Sequence, residues 1–178
     1  MRKLFSTYKQ IFRDYPGRKS TLLKCLIAKF LNPSFSVIYS YRVGSYYFHS
    51  NNRIFKFLGS KMRMKLIFRK NCDISFLAVI GDKLRLPHPI GVVIGAGVEI
   101  GNNVTIFQNV TLGSDGKDGK EKSYPKVEDN VVIYADSIIL GNVRIGENSV
   151  IGAKTLVNID VPPNSLAIGN PCKIIVKN

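Results

Sequence analysis

The sequence predicts a mainly β protein, a parallel β-helix built from hexapeptide repeats, with a short α-helical region at its N-terminus. Three observations predict this fold class. An aliphatic residue recurs at every sixth position, two stretches interrupt that spacing, and the charge and aromatic content change near residue 71. A fixed short period indicates a repeat fold, and six residues is the period of hexapeptide β-helices.

The repeat is clearest in the last third of the chain. Its sixth-residue positions are Val127, Ile133, Ile139, Ile145, Ile151 and Val157. The same spacing occurs upstream at Ile94, Ile100, Ile106 and Leu112, and at Ile74, Ile80 and Leu86. Each hexapeptide should form a short strand and a turn, and three should close one coil. The aliphatic side chain then points inward and stacks on its counterpart in the next coil.

Two interruptions of the repeat predict a functional site. The step from Leu86 to Ile94 contains two extra residues beside His88. The longer step from Leu112 to Val127 expels a loop, residues 113–126, which is polar and glycine-rich. Such a loop cannot pack a core. A regular repeat that is broken at two places indicates that the breaks carry the function.

The N-terminal region differs from the repeat in charge and in aromatic content. Residues 1–70 hold 16 of the 26 basic residues and one of the 12 acidic residues, Asp14, whereas residues 71–178 are nearly neutral. Fourteen of the 18 aromatic residues also lie before residue 71. We therefore expect a basic helical region, 1–70, and a β-helix domain, 71–178, with the extruded loop 113–126 and a C-terminal tail.

Helices are expected in two parts of this region. Ser20 to Leu31 has an apolar stripe at a spacing of four and ends at Asn32-Pro33. Residues 53–70 form a second basic and apolar segment that suits a helix. Residues 34–48 alternate like a strand yet also fit a helix face, so periodicity leaves both interpretations open.

Composition narrows the cellular setting and the partners. The three cysteines lack metal or disulfide spacing, the start has no signal-peptide pattern, and no apolar run approaches the ~20 residues of a membrane span. A cytoplasmic protein is the simplest interpretation. The basic, aromatic region either caps the prism that the stacked coils form, or it contacts an anionic surface. That surface would be membrane headgroups at the inner face of the membrane or an acidic glycan. No nucleic-acid motif accompanies it, so no nucleic-acid partner is expected.

His88 is the candidate base, since it is the only histidine after residue 71 and lies between Pro87 and Pro89. Spacing alone leaves a surface turn as an equal alternative. Asp73 precedes it by about one coil, which could put a carboxylate within reach of the imidazole. A carboxylate bonded to one ring nitrogen fixes the tautomer and supports the other nitrogen as a base. Zinc sites in trimeric β-helices use three histidines, so a single one argues against a metal.

The run from Asp73 to Ile175 resembles the C-terminal β-helix of serine O-acetyltransferases and their relatives in surface-polysaccharide gene sets. The matching motifs are Asp73-Ile74, His88, Gly91-Val92-Val93-Ile94-Gly95, Val110-Thr111-Leu112-Gly113, Pro125-Lys126-Val127, Ile139-Leu140-Gly141-Asn142, Ile151-Gly152-Ala153, Val161-Pro162-Pro163 and Gly169-Asn170-Pro171. Residues 31–43 also resemble the last helices before the prism in that group, which favours a helix for 34–48.

The resemblance implies a left-handed β-helix that assembles as a homotrimer and transfers acetyl from acetyl-CoA to a hydroxyl, with no metal. It assigns His88 as the general base and Asp73 as its orienting partner. The pantetheine arm would lie in the groove between neighbouring prisms. The residues assigned to the coenzyme are Gly113 at the start of the loop, Ala135 and Ala153 along the groove, and Lys173 near the phosphates.

Two departures from the serine enzymes bear on the acceptor. The Arg-His pair that the family places before Pro-Lys is replaced by Ser123-Tyr124, and the Asp before the catalytic His is Pro87. We therefore expect Ser123 and Tyr124 to bind a sugar hydroxyl of a capsule, O-antigen or exopolysaccharide precursor, either a small molecule or a lipid-linked unit. The alternatives are a serine O-acetyltransferase of cysteine biosynthesis and a non-catalytic β-helix scaffold.

Overall fold

The computed structural model describes residues 2–17, 21–116 and 123–176, with residues 2–5 described in their backbone alone. Four helices come first: α1 (Arg2–Asp14), α2 (Leu22–Leu31), α3 (Pro33–Phe48) and α4 (Arg53–Lys70). The described strands that follow are β1 (Asp73–Ile74), β2 (Val79–Ile80), β3 (Val93–Ile94), β4 (Glu99–Ile100), β5 (Thr105–Ile106), β6 (Thr111–Gly113), β7 (Lys126–Val127), β8 (Val132–Ile133), β9 (Ile138–Leu140), β10 (Arg144–Ile145), β11 (Val150–Ile151), β12 (Leu156–Val157), β13 (Ser165–Ile168) and β14 (Lys173–Val176). The expected fold class, a left-handed parallel β-helix with a helical N-terminal region, is confirmed.

The strands form the three faces of a triangular prism. Sheet A contains β1, β3, β6, β9 and β12, sheet B contains β2, β4, β7 and β10, and sheet C contains β5, β8, β11, β13 and β14. The strands of the coils pair in parallel, with each aliphatic repeat residue opposite its counterpart one coil on, as in Ile94↔Leu112. Coils therefore stack at the spacing of strands in a sheet, roughly 4.8 Å. The last strand, β14, instead pairs antiparallel with β13.

The repeat residues form the core of the prism, as predicted. All thirteen aliphatic repeat positions are at most 5% exposed. The polar members of the inner layer are satisfied: Ser137 donates to the Gly152 carbonyl at 2.8 Å and Ser149 donates to the Pro162 carbonyl at 2.7 Å. The β-branched and aliphatic side chains thus bury their surface only because neighbouring coils stack on each other.

The helical expectations are largely confirmed, and one helix was missed. The ambiguous residues 34–48 are helical, and α4 has the expected bounds. Helix α2 begins at Leu22 with Thr21 as its N-cap, whereas the expected first residue, Ser20, lies outside the described residues. Helix α1 was not anticipated. No single described helix is long and apolar enough to cross a membrane; α2 and α3, bent at 114°, pass that test only as a pair.

Helix α3 covers the open end of the prism. The first coil has no preceding coil to pair with, so its outward carbonyls would otherwise be exposed strand edges. Tyr41 Oη donates to the Ala78 carbonyl at 2.7 Å, and Arg42 Nη1 donates to the Ile80 carbonyl at 2.6 Å. Val37, Ile38, Tyr41 and Leu66 belong to the same core as the coils. The division of the chain into two domains stays a prediction, because the helices and the prism share this core.

Arg42 is held by a buried ion pair. Its Nε donates to Asp14 Oδ2 at 2.8 Å, with side-chain exposures of 4% and 0%. Asp14, the last residue of α1, also accepts from the Lys83 backbone N–H at 2.7 Å. Burial raises the pKa of the Asp14 carboxyl, and Arg42 opposes that shift. Helix α1 is thereby tied to α3 and to the first coil.

Candidate active site

His88 lies on the edge of the prism where sheet C leads into sheet A, which we call the C–A edge. It is exposed, in the turn after Leu86, and its carbonyl accepts from the Ile90 N–H at 2.8 Å. The imidazole packs 6.3 Å from the Phe107 ring, measured between centroids, and Phe107 stacks on Tyr134 at 5.0 Å. Phe107 and Tyr134 hold equivalent positions in successive coils, and His88 comes one residue after the equivalent position in the first coil, Pro87. The two extra residues thus present an imidazole at the start of an aromatic column.

Three residues assigned to the coenzyme also lie along the C–A edge. Ala135 follows Tyr134 in the turn of the third coil, and Ala153 lies in the equivalent turn of the fourth. A bond from the Lys154 N–H to the Ala135 carbonyl at 2.9 Å joins the two turns. Lys173 begins β14 and pairs with Ile168, whose side chain packs against Gly152 on this edge. The candidate base and these three residues therefore follow one another up one edge of the prism.

Asp73 is bound to a partner that sequence reasoning missed. Its Oδ1 accepts from Arg63 Nη2 at 3.1 Å, and both side chains are nearly half exposed. Within the described part of the chain no hydrogen bond joins Asp73 to His88, although the segments carrying them are joined by bonds such as Gly91 N–H to Asn71 O at 2.8 Å. The Asp73–His88 pair stays a prediction, with Oδ2 available for it. Arg63 gave no signal in the sequence because it lies on a helix outside the repeat.

Two polar atoms near this edge are buried without a partner. They are Arg63 Nε and Gln108 Oε1, neither of which has a hydrogen bond to any described group. Gln108 follows Phe107 in the aromatic column, and Arg63 adjoins Asp73. Leaving a buried polar group unpaired destabilises a protein by about 1–3 kcal/mol. A ligand that formed a hydrogen bond to either atom would remove this penalty and bind more tightly.

The loop residues lie at a different edge. Gly113 ends β6 opposite Leu140, on the edge between sheets A and B. The Tyr124 ring covers the preceding coil there: a Cβ added at Gly97 would come within 2.3 Å of Tyr124 Cδ2, and one at Gly95 within 2.9 Å of its Cε1. Tyr124 thus anchors the returning end of the loop. Within one chain, neither it nor Ser123 contacts His88 among the described side chains.

Gly97→Ala is expected to lower the free energy of unfolding by about 1–3 kcal/mol, because the new methyl group and the Tyr124 ring cannot both fit. Urea denaturation measures this. Gly113→Ala is the matched control, since its nearest neighbour would be Leu140 Cδ2 at an ordinary 3.6 Å. In a Tyr124→Ala background, where the ring is absent, Gly97→Ala should lower the free energy of unfolding only slightly. An equal cost in both backgrounds would show that Tyr124 is not what excludes the side chain.

No group of three or more His, Cys, Asp or Glu side chains converges among residues 2–17, 21–116 and 123–176. Two clefts lie between the helices and the first coils, and neither is lined by His88. The exposed C–A edge would become concave only against another molecule.

Comparison with known proteins agrees with the repeat. The family described as bacterial transferase hexapeptide (six repeats) matches residues 124–158. The serine acetyltransferase of Buchnera aphidicola subsp. Acyrthosiphon pisum is 35% identical over 141 residues, which are 79% of this chain and 50% of that protein. The serine acetyltransferase of Bacillus subtilis is 38% identical over 126 residues, 71% of this chain and 58% of that one.

Solved structures extend the similarity to the helices. Soybean serine acetyltransferase complexed with serine is 32% identical, with a TM-score of 0.80, covering 98% of this chain and 70% of that one. The fold and the match define a hexapeptide-repeat transferase. More narrowly, the chain belongs to the serine acetyltransferase family. It spans about half the length of the first curated relatives that it matches.

The expected sugar acceptor is wrong, and so is the assignment to a surface-polysaccharide branch. Relatives at 35–43% identity are named serine acetyltransferases. The expectation rested on the lack of an arginine at residues 123–124. A carboxylate can also be bound by a cation from elsewhere in the fold, and Arg63 is one beside Asp73. The loop sequence itself contains Lys117, Lys120 and Lys122, which lie outside the described residues.

Proposed function

We propose that the protein is a serine O-acetyltransferase, which transfers the acetyl group of acetyl-CoA to the hydroxyl of L-serine. The similarity over 98% of the chain to a serine acetyltransferase complexed with serine carries the proposal. Release of the CoA thiol on addition of L-serine, followed in a continuous assay, tests it. Serine-dependent release supports the proposal, and thiol release that L-serine does not accelerate contradicts it.

His88 acts as the general base in this proposal. A serine hydroxyl is far too weak an acid to attack a thioester unaided, so its proton must be taken as the new C–O bond forms. A neutral imidazole suits this role near pH 7. His88 supplies one at an exposed position, with Pro87 and Pro89 limiting the freedom of the backbone around it. Asp73, through Oδ2, would accept from the far ring nitrogen and stabilise the imidazolium.

The coenzyme would lie along the C–A edge, with its acetyl group at His88. Acetyl-CoA supplies the activated acyl group. Ala135 and Ala153 offer turn backbone along the edge, and Lys173 offers a cation for the phosphates. Gly113, Ser123 and Tyr124 lie on another edge, so they could complete this site only from a neighbouring copy.

A homotrimer fits the outward faces of the prism. Sheets A and C, which flank the C–A edge, present aliphatic side chains such as Val93, Ile138 and Leu156 on sheet A and Val150 on sheet C. Sheet B presents Val79 in the first coil and charged residues in the coils that follow: Glu99, Lys126 and Arg144. Apolar faces are expected to be covered by another subunit. Light scattering should give a trimer, and an active monomer at micromolar concentration would contradict this part of the proposal.

Arg63 is proposed to bind the α-carboxylate of serine. Its guanidinium uses Nη2 for Asp73, while Nε has no partner among the described groups. Arg63→Gln should raise the KM for L-serine about tenfold or more, because a hydrogen bond to a charged group contributes about 1.5–3 kcal/mol. The KM for L-serinamide, which lacks the carboxylate, should change little.

Arg69→Gln is the matched control for this prediction. Arg69 is exposed in the last turn of the same helix, so its loss removes an equal charge without touching Asp73. If Arg63→Gln and Arg69→Gln raised the KM for L-serine equally, the effect would be general electrostatics. If neither did while L-serine was acetylated, the role of Arg63 would be wrong and the proposed function would stand.

The charge of residues 1–70 further supports contact with an anionic surface. Charge alone does not distinguish lipid headgroups from an acidic glycan, since both attract cations and both attractions weaken with salt. The names of the relatives lend this contact no support. It rests on the basic helices of this chain.

A further inference from the structure

The apolar stripe of α2 faces solvent. An amphipathic helix ordinarily turns such a stripe toward the core. In α2 the buried residue is Cys25, on the opposite side, and the six large apolar side chains are 41–79% exposed. These are Leu22, Leu23, Leu26, Ile27, Phe30 and Leu31. An exposed apolar surface of this kind marks an interaction site.

Helix α4 presents a second exposed apolar set. Ile54, Phe57 and Phe68 are 61–72% exposed, and Phe55, Leu58 and Met64 are 42–47% exposed. The C-terminal ends of α2 and α4 both lie against α3, because Lys29 Nζ is 4.7 Å from the centroid of the Tyr39 ring and Lys70 Nζ donates to Ser36 Oγ, three residues earlier on that helix. We call the exposed apolar and basic side chains of the two helices the α2–α4 surface.

The charge around this surface has one sign. No acidic residue occurs in the sequence between Asp14 and Asp73, whereas Lys24, Lys29, Lys56, Lys61, Lys65 and Arg69 lie on the two helices. Lys29 and Lys61 extend over aromatic rings, with Nζ 5.3 Å from the centroids of Phe30 and Phe57 respectively. Burial, with the charge of Lys65, lowers the pKa of the Lys70 ammonium. Cations are therefore crowded beside the apolar side chains.

These two properties together select the partner. A second copy of the same surface would bring like charges together, which is unfavourable in a partly desolvated interface. A hydrated acidic glycan would match the cations but would leave the leucines and phenylalanines in water. An anionic lipid bilayer matches both, since lysines contact the headgroups while apolar side chains enter the acyl boundary. We propose that the α2–α4 surface docks the protein peripherally on an anionic lipid membrane.

Vesicle co-sedimentation of the full chain tests this proposal. Binding is expected to vesicles containing phosphatidylglycerol, with little to vesicles of phosphatidylcholine alone, and added salt should weaken it. Phe30→Ser and Leu31→Ser should each lower the partition coefficient about tenfold or more, as expected for an apolar side chain that no longer leaves water. Both positions are 78–79% exposed, so neither change should lower the melting temperature.

Ile159→Ser is the matched control. Ile159 is 47% exposed in the last coil, at the other end of the prism from the helices, so its replacement should leave vesicle binding unchanged. Three results would overturn the proposal: no binding to anionic vesicles at low salt, equal binding of wild type and Phe30→Ser, or a loss in Phe30→Ser matched by loss of a higher oligomer without lipid. The assay uses no acetyl transfer, so it stands or fails independently of the proposed function.

Discussion

Replacing His88 by alanine is expected to lower kcat for acetyl transfer about 10²–10⁴-fold, the usual contribution of a positioned base. The substitution removes an exposed side chain whose recorded ring contact is Phe107, so the fold and the affinity for acetyl-CoA should be nearly unchanged. Steady-state kinetics with thermal unfolding as the fold control measure both. Near-wild-type transfer by a folded His88→Ala protein would contradict the catalytic role and leave His88 as a surface turn residue.

Asp73→Asn should lower kcat for acetyl transfer less than His88→Ala does. The amide retains a polar group beside the imidazole but loses the charge that would stabilise an imidazolium. Because Asp73 also pairs with Arg63, this variant should raise the KM for L-serine as well as lower kcat. A loss in kcat as large as that of His88→Ala would instead indicate that the carboxylate acts directly on the acceptor hydroxyl.

Arg42→Leu is expected to lower the free energy of unfolding by about 3–5 kcal/mol, the largest stability effect that we predict. The change leaves Asp14 buried without its cation, and it leaves the Ile80 and Gly81 carbonyls at the end of the prism without donors. Chemical denaturation measures it. Arg144→Leu is the control, since the Arg144–Glu128 pair is largely exposed on the arginine side and should contribute about 0–1 kcal/mol.

The loss in free energy of unfolding caused by Arg42→Leu should depend on pH. Burial already raises the pKa of Asp14, and removal of Arg42 takes away the influence that lowers it. A carboxyl with a folded-state pKa above its unfolded value favours folding at low pH and loses that contribution as pH rises through the folded value. The variant should therefore be closest to wild type in mild acid. A pH-independent deficit would indicate that the unpaired carbonyls, and not Asp14, carry the cost.

The fold could be predicted from the sequence because each coil repeats one local rule. A buried aliphatic at every sixth position, such as Ile139 or Ile145, can be recognised without knowledge of any distant contact. The candidate base could be predicted for the same reason, since His88 stands where the rule fails. Handedness could not be derived this way and came from the resemblance.

Contacts between the helices and the prism could not be predicted. Arg63 pairs with Asp73, 10 positions away, and Arg42 donates to the Ile80 carbonyl, 38 positions away; no periodic pattern connects these partners. The apolar stripe of α2 was correctly predicted, but its residue spacing is the same whether the stripe packs against a core or faces outward. The absence of an arginine at residues 123–124 was overinterpreted, because a cation from helix α4 lies beside the candidate dyad.

Competition in a single reaction tests the proposed acceptor most directly. The protein is incubated with labelled acetyl-CoA and an equimolar mixture of L-serine and hexose or hexosamine sugars, and the labelled products are separated and identified by mass. We predict that O-acetyl-L-serine carries most of the label and that His88→Ala lowers its rate of formation about 10²–10⁴-fold. Label found on the sugars, with L-serine left unmodified, would contradict it.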